Sequence, residues 1–550
     1  MKKIFVIIFI LISFIIGINC VNADNKVYWK VNGQSIINYL DGFDDLIYNI
    51  KFNDNSKTNS YTNEYDYSWD LSINDDKSVM AYLKEDTLYI EYSGTLYLNS
   101  NSAYLFSSLY TNISLESISG LEYINTSNVT DMSWFFSGNE YLENIDLNYL
   151  DTSNVTTMKG MFAYCKSIDN LDFANFNTLN VIDMSSMFYN CSFIKELNLS
   201  NFNTSNVTNM SSMFSGCYNL TKIDLSSFKT SSVTDMSSMF SACTKLKTLE
   251  INHFDVSNVK NIDGMFDSCK ELTTLDLNNW NTKKITSMYD TFANCDNLSS
   301  LSIDKWDTSN VTNMQGMFRS CNKMKTVNIN NFNTSRVTNM SYMFATNYGI
   351  ESIDLSNWDT SRVTDMSFMF YYTTSLKYLD ISNFNTSKVT NMEHMFFNDY
   401  NLTELDLSSF NTNRVIDMSS MFGECRQLKT IYVSDKWSTN SLVRYDEMFY
   451  ANDILVGGNG TKFEYNHTDK EYARIDKTDS PGYFTDKSQI ILGDIDRDGI
   501  ITLNDVIYSL KVYLGIENIN NSDMKYIDVN KNNIIDLSDV ISILRIYLML

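Results

Sequence analysis

Apolar and polar residues follow one phrase along this chain, and the phrase returns every 26 residues. Phenylalanine marks the period, at positions 136, 162, 188, 214, 240, 266, 292, 318, 344, 370, 396 and 422, and a further copy, Phe449, follows after 27 residues. A fixed period of this length is typical of solenoids, in which each unit covers the apolar side of the next. The pattern therefore predicts a solenoid of about 13 coils over residues 121–450.

Each coil divides into a strand-like half and a helix-like half. In LTKIDLSSF (220–228), apolar and polar residues alternate through Ile223, Asp224 and Leu225, which predicts a short strand. In SNVTNMSSMFSGC (205–217), apolar residues recur every three or four positions, which predicts a short helix or helical turn. The expected fold class is an α/β repeat solenoid whose coils combine a short strand with a short helical segment.

Methionine and cysteine keep fixed places in the phrase. When the coils stack, methionines such as Met184, Met210 and Met236 are predicted to form a buried column that fills the core. A methionine metal site is the alternative interpretation. Cysteine stands three residues after the repeat phenylalanine, at Cys165, Cys191, Cys217, Cys243, Cys269, Cys295, Cys321 and Cys425. Side chains stacked in parallel match disulfide geometry poorly, so we expect buried thiols rather than disulfides.

The segments that flank the repeats differ from them in composition. MKKIFVIIFILISFIIGINCVNA (1–23) has a basic start, an apolar run and small residues at its end, which predicts a secretory signal peptide. A membrane anchor or lipid attachment at Cys20 is the alternative, and no other stretch predicts a stable membrane span. Residues 24–120 predict a strand-rich leader or cap, in which a binding or catalytic role stays open, and residues 451–488 predict a second cap and a linker.

The net charge and the absence of catalytic motifs reduce the number of function classes that the sequence supports. A formal net charge of −24 argues against nucleic acid or an anionic membrane as the main partner. The sequence carries no nucleophile elbow, phosphate loop or HExxH motif, and we expect no enzymatic activity. An acidic column runs between the paired strand apolars from Asp146 to Asp406, and it predicts either a solvated face or a surface for cations or a basic partner.

The later coils carry a candidate ligand face. The residue before the repeat valine is Asn206 or Ser232 in earlier coils but basic in later ones, where aromatic residues also gather and the cysteine is lost. Arginine and tyrosine are frequent interface anchors, although local repacking is the alternative. The candidate residues are Arg336, Tyr348, Arg362, Tyr371, Tyr372, Lys388, Phe397, Tyr400 and Arg414.

Two calcium-type loops stand near the C-terminus, DIDRDGIITLND (494–505) and DVNKNNIIDLSD (528–539), and each leads into an apolar helix. Oxygen ligands fall at positions 1, 3, 5, 7, 9 and 12, with a backbone carbonyl at position 7. These residues are Asp494, Asp496, Asp498, Ile500, Thr502 and Asp505, then Asp528, Asn530, Asn532, Ile534, Asp536 and Asp539. We expect two Ca²⁺ ions, with weaker binding at the second loop because it carries fewer charges.

Two resemblances add to these predictions. The pattern L-x-x-L-x-L-x-x-F, followed by T-S-x-V-T-x-M-x-x-M-F-x-x-C, resembles the BspA-like leucine-rich-repeat surface proteins over about residues 121–485, which implies adhesion to host or partner molecules. The duplicated loop-helix unit within 489–550 resembles a small all-α dockerin domain, which implies calcium-dependent binding to a cohesin module. In that family, positions on the loops and helices select the cohesin, and here they are Leu503, Asn504, Lys511, Leu537, Ser538 and Arg545.

The sequence thus supports a secreted, non-enzymatic binding or adhesion protein. Its solenoid is expected to bind an unknown protein or glycan, and its dockerin to attach it to a cohesin-bearing scaffold or cell-surface protein. The alternative function is an accessory carbohydrate-binding component of a cellulosome-like polysaccharide-degrading complex. That alternative predicts that polysaccharide binding depends on the aromatic residues of the later coils.

Overall fold

The computed structural model describes residues 26–40, 46–56, 65–109, 113–487, 492–496, 500–519, 524 and 526–548. The predicted signal peptide, including Cys20, lies outside the described residues. The chain divides into two compact units, 1–310 and 311–550, and each is described by itself.

The first unit opens with two sheets. A mixed five-stranded sheet has the order β3-β4-β5-β2-β7, and a parallel three-stranded sheet has the order β1-β6-β8. The strands are β1 (Lys26–Tyr28), β2 (Ile47–Asp54), β3 (Tyr67–Asp70), β4 (Val79–Lys84), β5 (Thr87–Tyr92), β6 (Thr95–Tyr97), β7 (Ile113–Ser119) and β8 (Ile124–Asn125). Buried and exposed residues alternate along β4, which places Val79, Ala81 and Leu83 in the core.

Stacked coils follow in the first unit. Parallel bridges begin at Asn101 with Asp131 and continue coil by coil to Asn261 with Ser287. Short parallel strand pairs lie on another side of the coils, namely β9 (Glu196–Asn198) with β10 (Lys222–Asp224) and β11 (Thr274–Asp276) with β12 (Ser300–Ser302). The ladder thus begins within the segment that the sequence assigned to the leader.

The second unit carries its own coils and their cap. Bridges run from Asn313 with Asn339 to Asp417 with Arg444, the last step spanning the 27-residue coil. Strand β13 (Glu404–Asp406) pairs with β14 (Thr430–Val433), and β14 pairs with β15 (Phe484–Asp486) of the cap. Because β15 occupies the open edge of β14, the cap covers a strand edge that would otherwise be free to pair with another chain.

The prediction of a helical segment in each coil was wrong. Residues 205–217 form successive tight turns, in which Met213 N–H donates to Met210 O at 3.3 Å and Cys217 N–H donates to Phe214 O at 3.1 Å. Left-handed residues separate the turns, with φ of 54° at Ser212 and 78° at Gly216. A left-handed residue breaks the regular dihedral run that an α-helix requires, so apolar spacing of three or four residues here marks turns instead.

Main-chain hydrogen bonds between coils compensate for this strained backbone. The N–H groups of Met210, Ser212, Phe214 and Gly216 donate forward to carbonyls of the next coil at 2.8–3.0 Å. A left-handed non-glycine residue costs roughly 1–2 kcal/mol, so each such position depends on its neighbouring coils. This dependence is the physical reason that a single coil is not a folding unit.

The side chains inside the coils form the predicted columns. The repeat phenylalanines stack nearly face to face, with ring centroids 5.7 Å apart for Phe188 and Phe214 and 5.6 Å apart for Phe214 and Phe240. The eight column cysteines are buried thiols rather than disulfides, as expected, and Cys191 Sγ donates to Phe162 O at 3.0 Å. Burial raises the pKa of the Cys217 thiol to about 12, which keeps it protonated.

The C-terminal module, residues 492–548 as far as they are described, has two helices, α1 (Leu503–Tyr513) and α2 (Leu537–Leu548). They pack through a small apolar core formed by Val506, Ile527 and Ile543. Among the described residues, no helix has the length and apolar character needed to cross a membrane.

Candidate metal centre and ligand surface

Three carboxylates meet in the first loop of the C-terminal module. Ligand oxygens of Asp494, Asp496 and Asp505 all lie within 4.8 Å of one another, and this is the one such group of acidic, histidine or cysteine side chains among the described residues. Asp494 and Asp505 are buried, and Asp496 is exposed. Asp498 lies outside the described residues.

Asp505 also fixes the loop to its helix. Its Oδ2 accepts hydrogen bonds from Thr502 N–H at 2.8 Å and Thr502 Oγ1 at 2.9 Å, and its Oδ1 accepts from Ile495 N–H at 2.7 Å. Burial alone would raise the pKa of Asp505, but these donors and Asp496 N–H hold it below its ordinary value. The carboxylate is thus ionised and aimed at the start of α1, where it completes a capping box.

The second loop has the same outline with fewer charges. Asp528 Oδ2 accepts from Asn533 N–H at 2.8 Å, and Asn533 is left-handed with φ of 62°, as expected for the residue in the glycine place. Asp539 repeats the role of Asp505, accepting from Asn530 N–H at 3.2 Å and Asp536 N–H at 3.1 Å. The three aspartates of this loop do not meet within the distance that joins those of the first loop.

The six residues assigned to cohesin recognition are all exposed. Leu503, Asn504 and Lys511 lie on α1, and Leu537, Ser538 and Arg545 take equivalent places on α2, 34 positions later. Further exposed apolar residues flank them, with Ile507 44% exposed and Ile541 40% exposed. Sequence reasoning missed these two isoleucines, although their shared four-residue spacing from Leu503 and Leu537 is a visible signal.

The predicted ligand face separates into two features. Tyr371, Tyr372 and Phe397 lie together, with ring centroids 4.5 Å apart for the two tyrosines and 5.5 Å apart for Tyr371 and Phe397. They join three rings that sequence reasoning missed, and the resulting ring cluster consists of Tyr342, Phe368, Tyr371, Tyr372, His394 and Phe397. Tyr348 and Tyr400 are exposed, and no ring contact joins them to this cluster.

The ring cluster is half-buried, and its stacking follows the backbone. Tyr342, Phe368 and His394 occupy the left-handed position of three consecutive coils, so their rings stack at 4.5 Å and 4.8 Å. Burial lowers the pKa of His394, although Asp417 acts in the opposite direction. Among the described residues its Nδ1 has no hydrogen-bond partner, and it lies 3.6 Å from Glu393 Oε1.

The basic column, defined as Arg336, Arg362, Lys388 and Arg414, lies elsewhere on the same coils, and all four side chains are exposed. No hydrogen bond or ring contact joins Arg362, Lys388 or Arg414 to the described residues of the ring cluster. The structure therefore does not unite the nine predicted residues into one site.

The predicted acidic column has a local role. Asp224 Oδ1 accepts from Ser226 N–H at 3.0 Å, and Asp354 Oδ1 accepts from Ser356 N–H at 3.1 Å. Hydrogen bonds from Ser226 are the main cause that lowers the pKa of Asp224. These carboxylates thus fix the turn after each strand, which favours a structural explanation of the column.

The coils define a protein built from stacked, parallel-bridged repeats. The chain belongs to the family described as "Mycoplasma protein of unknown function, DUF285", which matches residues 104–220, 192–301, 269–351, 286–378 and 347–459, together more than half of the chain. No curated protein matches it.

Solved structures similar to this chain include two leucine-rich-repeat proteins and a domain of InlJ. A leucine-rich repeat protein from Bacteroides ovatus is 17% identical. The match covers 50% of this chain and 68% of that protein, with a TM-score of 0.28. A leucine rich cell surface protein from Faecalibacterium prausnitzii is 14% identical. The match covers 69% of this chain and 97% of that protein, with a TM-score of 0.32. The functional domain of InlJ from Listeria monocytogenes is 15% identical. The match covers 64% of this chain and 65% of that domain, with a TM-score of 0.21.

Proposed function

We propose that this chain is a secreted binding or adhesion protein whose C-terminal module is a calcium-dependent dockerin that attaches it to a cohesin-bearing scaffold or cell-surface protein. The observation that supports this proposal most directly is the convergence of Asp494, Asp496 and Asp505 within 4.8 Å. Three carboxylates this close repel one another unless a cation joins them.

The donor set fits calcium. Ca²⁺ takes six to eight oxygen ligands, and the first loop offers carboxylates, the Ile500 carbonyl and the Thr502 hydroxyl. Bound calcium would neutralise the repulsion between the aspartates and hold the loop against α1. Asp528, Asn530, Asn532, Ile534, Asp536 and Asp539 would hold the second ion, with lower affinity because two of these side chains are neutral amides.

The partner would contact the exposed faces of α1 and α2. Leu503 and Leu537 are 51% and 47% exposed, and each is followed on its helix by an exposed isoleucine and a basic residue. Two matching apolar faces on so small a module favour recognition of a protein surface. The proposal that this partner is a cohesin rests on the sequence resemblance alone.

A calcium-dependent pull-down tests this function. The mature chain (24–550) and a version ending at residue 487 are incubated with cell-surface extract and culture medium of the source organism, in calcium and in chelator. We expect a partner that is captured only by the full chain in calcium. Asp496→Ala should abolish that capture, whereas the control Asp435→Ala, which removes an exposed carboxylate of the last coil, should leave it unchanged.

The result that contradicts the proposal is an identical set of captured proteins for both chains, regardless of calcium. A calcium titration by calorimetry supplies a second measurement. Two binding events in the mature chain, of which Asp496→Ala removes the tighter, support the loop assignment, and the absence of binding heat in the mature chain refutes it.

An accessory carbohydrate-binding role is the second candidate, and the half-exposed ring cluster favours it. Aromatic rings with nearby carboxylates such as Glu393 suit sugar rings, which present apolar faces and hydroxyl groups together. Phe397→Ala should then weaken binding of a neutral polysaccharide. Unchanged binding in that variant refutes this candidate.

A further inference from the structure

One position of the coil loses a structural hydrogen bond along the chain. In most coils of the first unit, the residue before the repeat valine is an asparagine whose amide donates back to a main-chain carbonyl of the preceding coil. These bonds measure 2.7–2.8 Å, from Asn154, Asn180, Asn206, Asn258 and Asn310 to Ser127, Ser153, Leu179, Ser231 and Lys283. The asparagine thus ties neighbouring coils together.

The basic column occupies this same position in the second unit. Arg362, Lys388 and Arg414 make no such bond to the preceding coil among the described residues, and their side chains extend into solvent. The coils that carry them are directly adjacent, because the Thr364 and Thr390 N–H groups donate to the Thr338 and Thr364 carbonyls at 2.9 and 2.8 Å. Four cations therefore form a row along the stacked coils, each about one strand spacing of 4.8 Å from the next.

This arrangement is electrostatically unfavourable without a counter-charge. Stacked like charges repel, and the replaced asparagine would have contributed a hydrogen bond instead. The pKa of the nearby Asp359 is lowered first by hydrogen bonds from Ser361 and then by the charges of Arg362 and Lys388. No ion pair within 4 Å joins Arg362, Lys388 or Arg414 to a described carboxylate. A surface that gives up stability in this way is suited to binding.

We propose that Arg336, Arg362, Lys388 and Arg414 form a binding strip for a linear acidic polysaccharide whose carboxylate groups repeat along its length. Guanidinium groups pair with carboxylates in a bidentate manner, and a row of them matches a ligand with regularly spaced anions. The flanking Ser335, Ser361 and Ser387 are partly exposed and offer hydroxyl groups to sugar hydroxyls.

A polysaccharide fits better than a nucleic acid. The strip is one residue wide within a chain of net charge −24, so it suits a single extended carbohydrate chain better than a duplex, whose two charged strands need a wider basic surface. This inference rests on the part of the proposed function that assigns ligand binding to the coils. It does not depend on the C-terminal module. It names the chemistry of that ligand.

Binding of polygalacturonate to the mature chain tests the strip. The measurement is made in chelator, so that calcium neither bridges carboxylates nor loads the C-terminal loops, with neutral dextran and single-stranded DNA as comparison polymers. We expect binding of polygalacturonate that weakens as salt is raised, and no binding of dextran. The double variant Arg362→Asn/Lys388→Asn should bind about tenfold more weakly.

The choice of variants separates a loss of binding from a loss of folding and from a general charge effect. Asparagine is the residue that this position carries in most coils of the first unit, so the double variant is expected to fold at least as well as the parent, which circular dichroism checks. Lys377→Asn removes an exposed cation outside the column and should retain the parent affinity.

Three outcomes overturn the inference. They are unchanged polygalacturonate binding in the double variant, equal binding of dextran, and tighter binding of single-stranded DNA than of polygalacturonate. Because the pull-down depends on calcium and this assay excludes it, a chain that captures its partner but ignores polygalacturonate refutes the strip alone.

Discussion

Replacing Asp399 by asparagine is expected to stabilise the second unit at neutral and alkaline pH. Asp399 takes the place of the column cysteine and is 0% exposed. Its Oδ1 accepts from Thr373 N–H at 2.8 Å and Thr373 Oγ1 at 2.5 Å, but its Oδ2 has no hydrogen-bond partner in the part of the chain that the structure describes. Burial raises the pKa of Asp399 well above its ordinary value, against the hydrogen bonds from Thr373.

The sign of the pH dependence follows from this raised pKa. Below about pH 4, the carboxyl is protonated in both the folded and the unfolded chain, and it imposes no penalty. As pH rises through the raised folded-state pKa, the folded chain must either hold a proton or bury a charge, so its stability falls. The Asp399→Asn variant lacks this dependence, and its advantage should therefore grow with pH.

The structure indicates the size of the gain. Asn347 occupies the same column, and its amide donates to Phe318 O at 2.6 Å and Phe344 O at 3.2 Å. Asparagine at position 399 can keep the Oδ1 interactions with Thr373 and place a donor where Oδ2 now lacks a partner. Satisfying a buried polar atom contributes about 1–3 kcal/mol, which is the gain expected at pH 8.

Urea unfolding of the mature chain at pH 4 and pH 8 measures this effect, and hydrogen exchange of the coils around residue 399 localises it. Asn347→Asp is the reciprocal control and should destabilise, because it loses both donations to phenylalanine carbonyls and buries a carboxyl group. Asp399→Asn stability that is lower than the parent, or a gain that is equal at both pH values, would refute the reasoning.

The remaining predictions concern the backbone, the thiols and the metal. Gly264→Ala should cost about 1 kcal/mol in urea unfolding, because its φ of 58° strains alanine while the new methyl meets nothing closer than 3.4 Å. Gly160→Ala should cost clearly more, since its Cβ would lie 2.3 Å from the Trp134 ring, and equal losses would contradict this. Cys217 should resist alkylation in the folded chain at pH 8 and react after denaturation, because burial raises the pKa of its thiol to about 12. Calcium at 100 times its dissociation constant should stabilise the C-terminal module by about 2.7 kcal/mol, and Asp505→Asn should reduce this gain in thermal unfolding.

The stacked core could be predicted from the sequence because its signal is repetitive. Thirteen copies of phenylalanine, and methionines such as Met210 and Met213, stand where burial requires them, and both methionines are fully buried. The helical half could not be predicted correctly. Tight turns in series give the same three- and four-residue spacing as a helix, and the left-handed position is filled by residues as different as Ser212, Trp134 and His394.

The candidate sites divide in the same way. A loop with ligands at fixed offsets is a local feature, so Asp494, Asp496 and Asp505 could be brought together from spacing alone. The ring cluster depends on which side chains the left-handed positions project, so Phe368 and His394 were missed. The loss of the asparagine bond at Arg362 has no signal in one coil and becomes visible only when the coils are superposed.

In the turn segments, main-chain N–H groups donate forward to the next coil, and this direction has a consequence for the first coil and for the last coil. Before the first coil, Gly33 and Ile36 N–H groups donate to the Asn101 and Leu105 carbonyls, so the leader supplies donors. After the last, Phe449 N–H donates to Thr468 O and Glu447 N–H to Asp469 Oδ1, so the cap supplies acceptors. The first coil of the first unit thus presents carbonyl acceptors to its leader, and the last coil of the second unit presents N–H donors to its cap. Removing the cap is expected to leave these donors exposed, so the edge of the last coil becomes a template for backbone pairing with another chain.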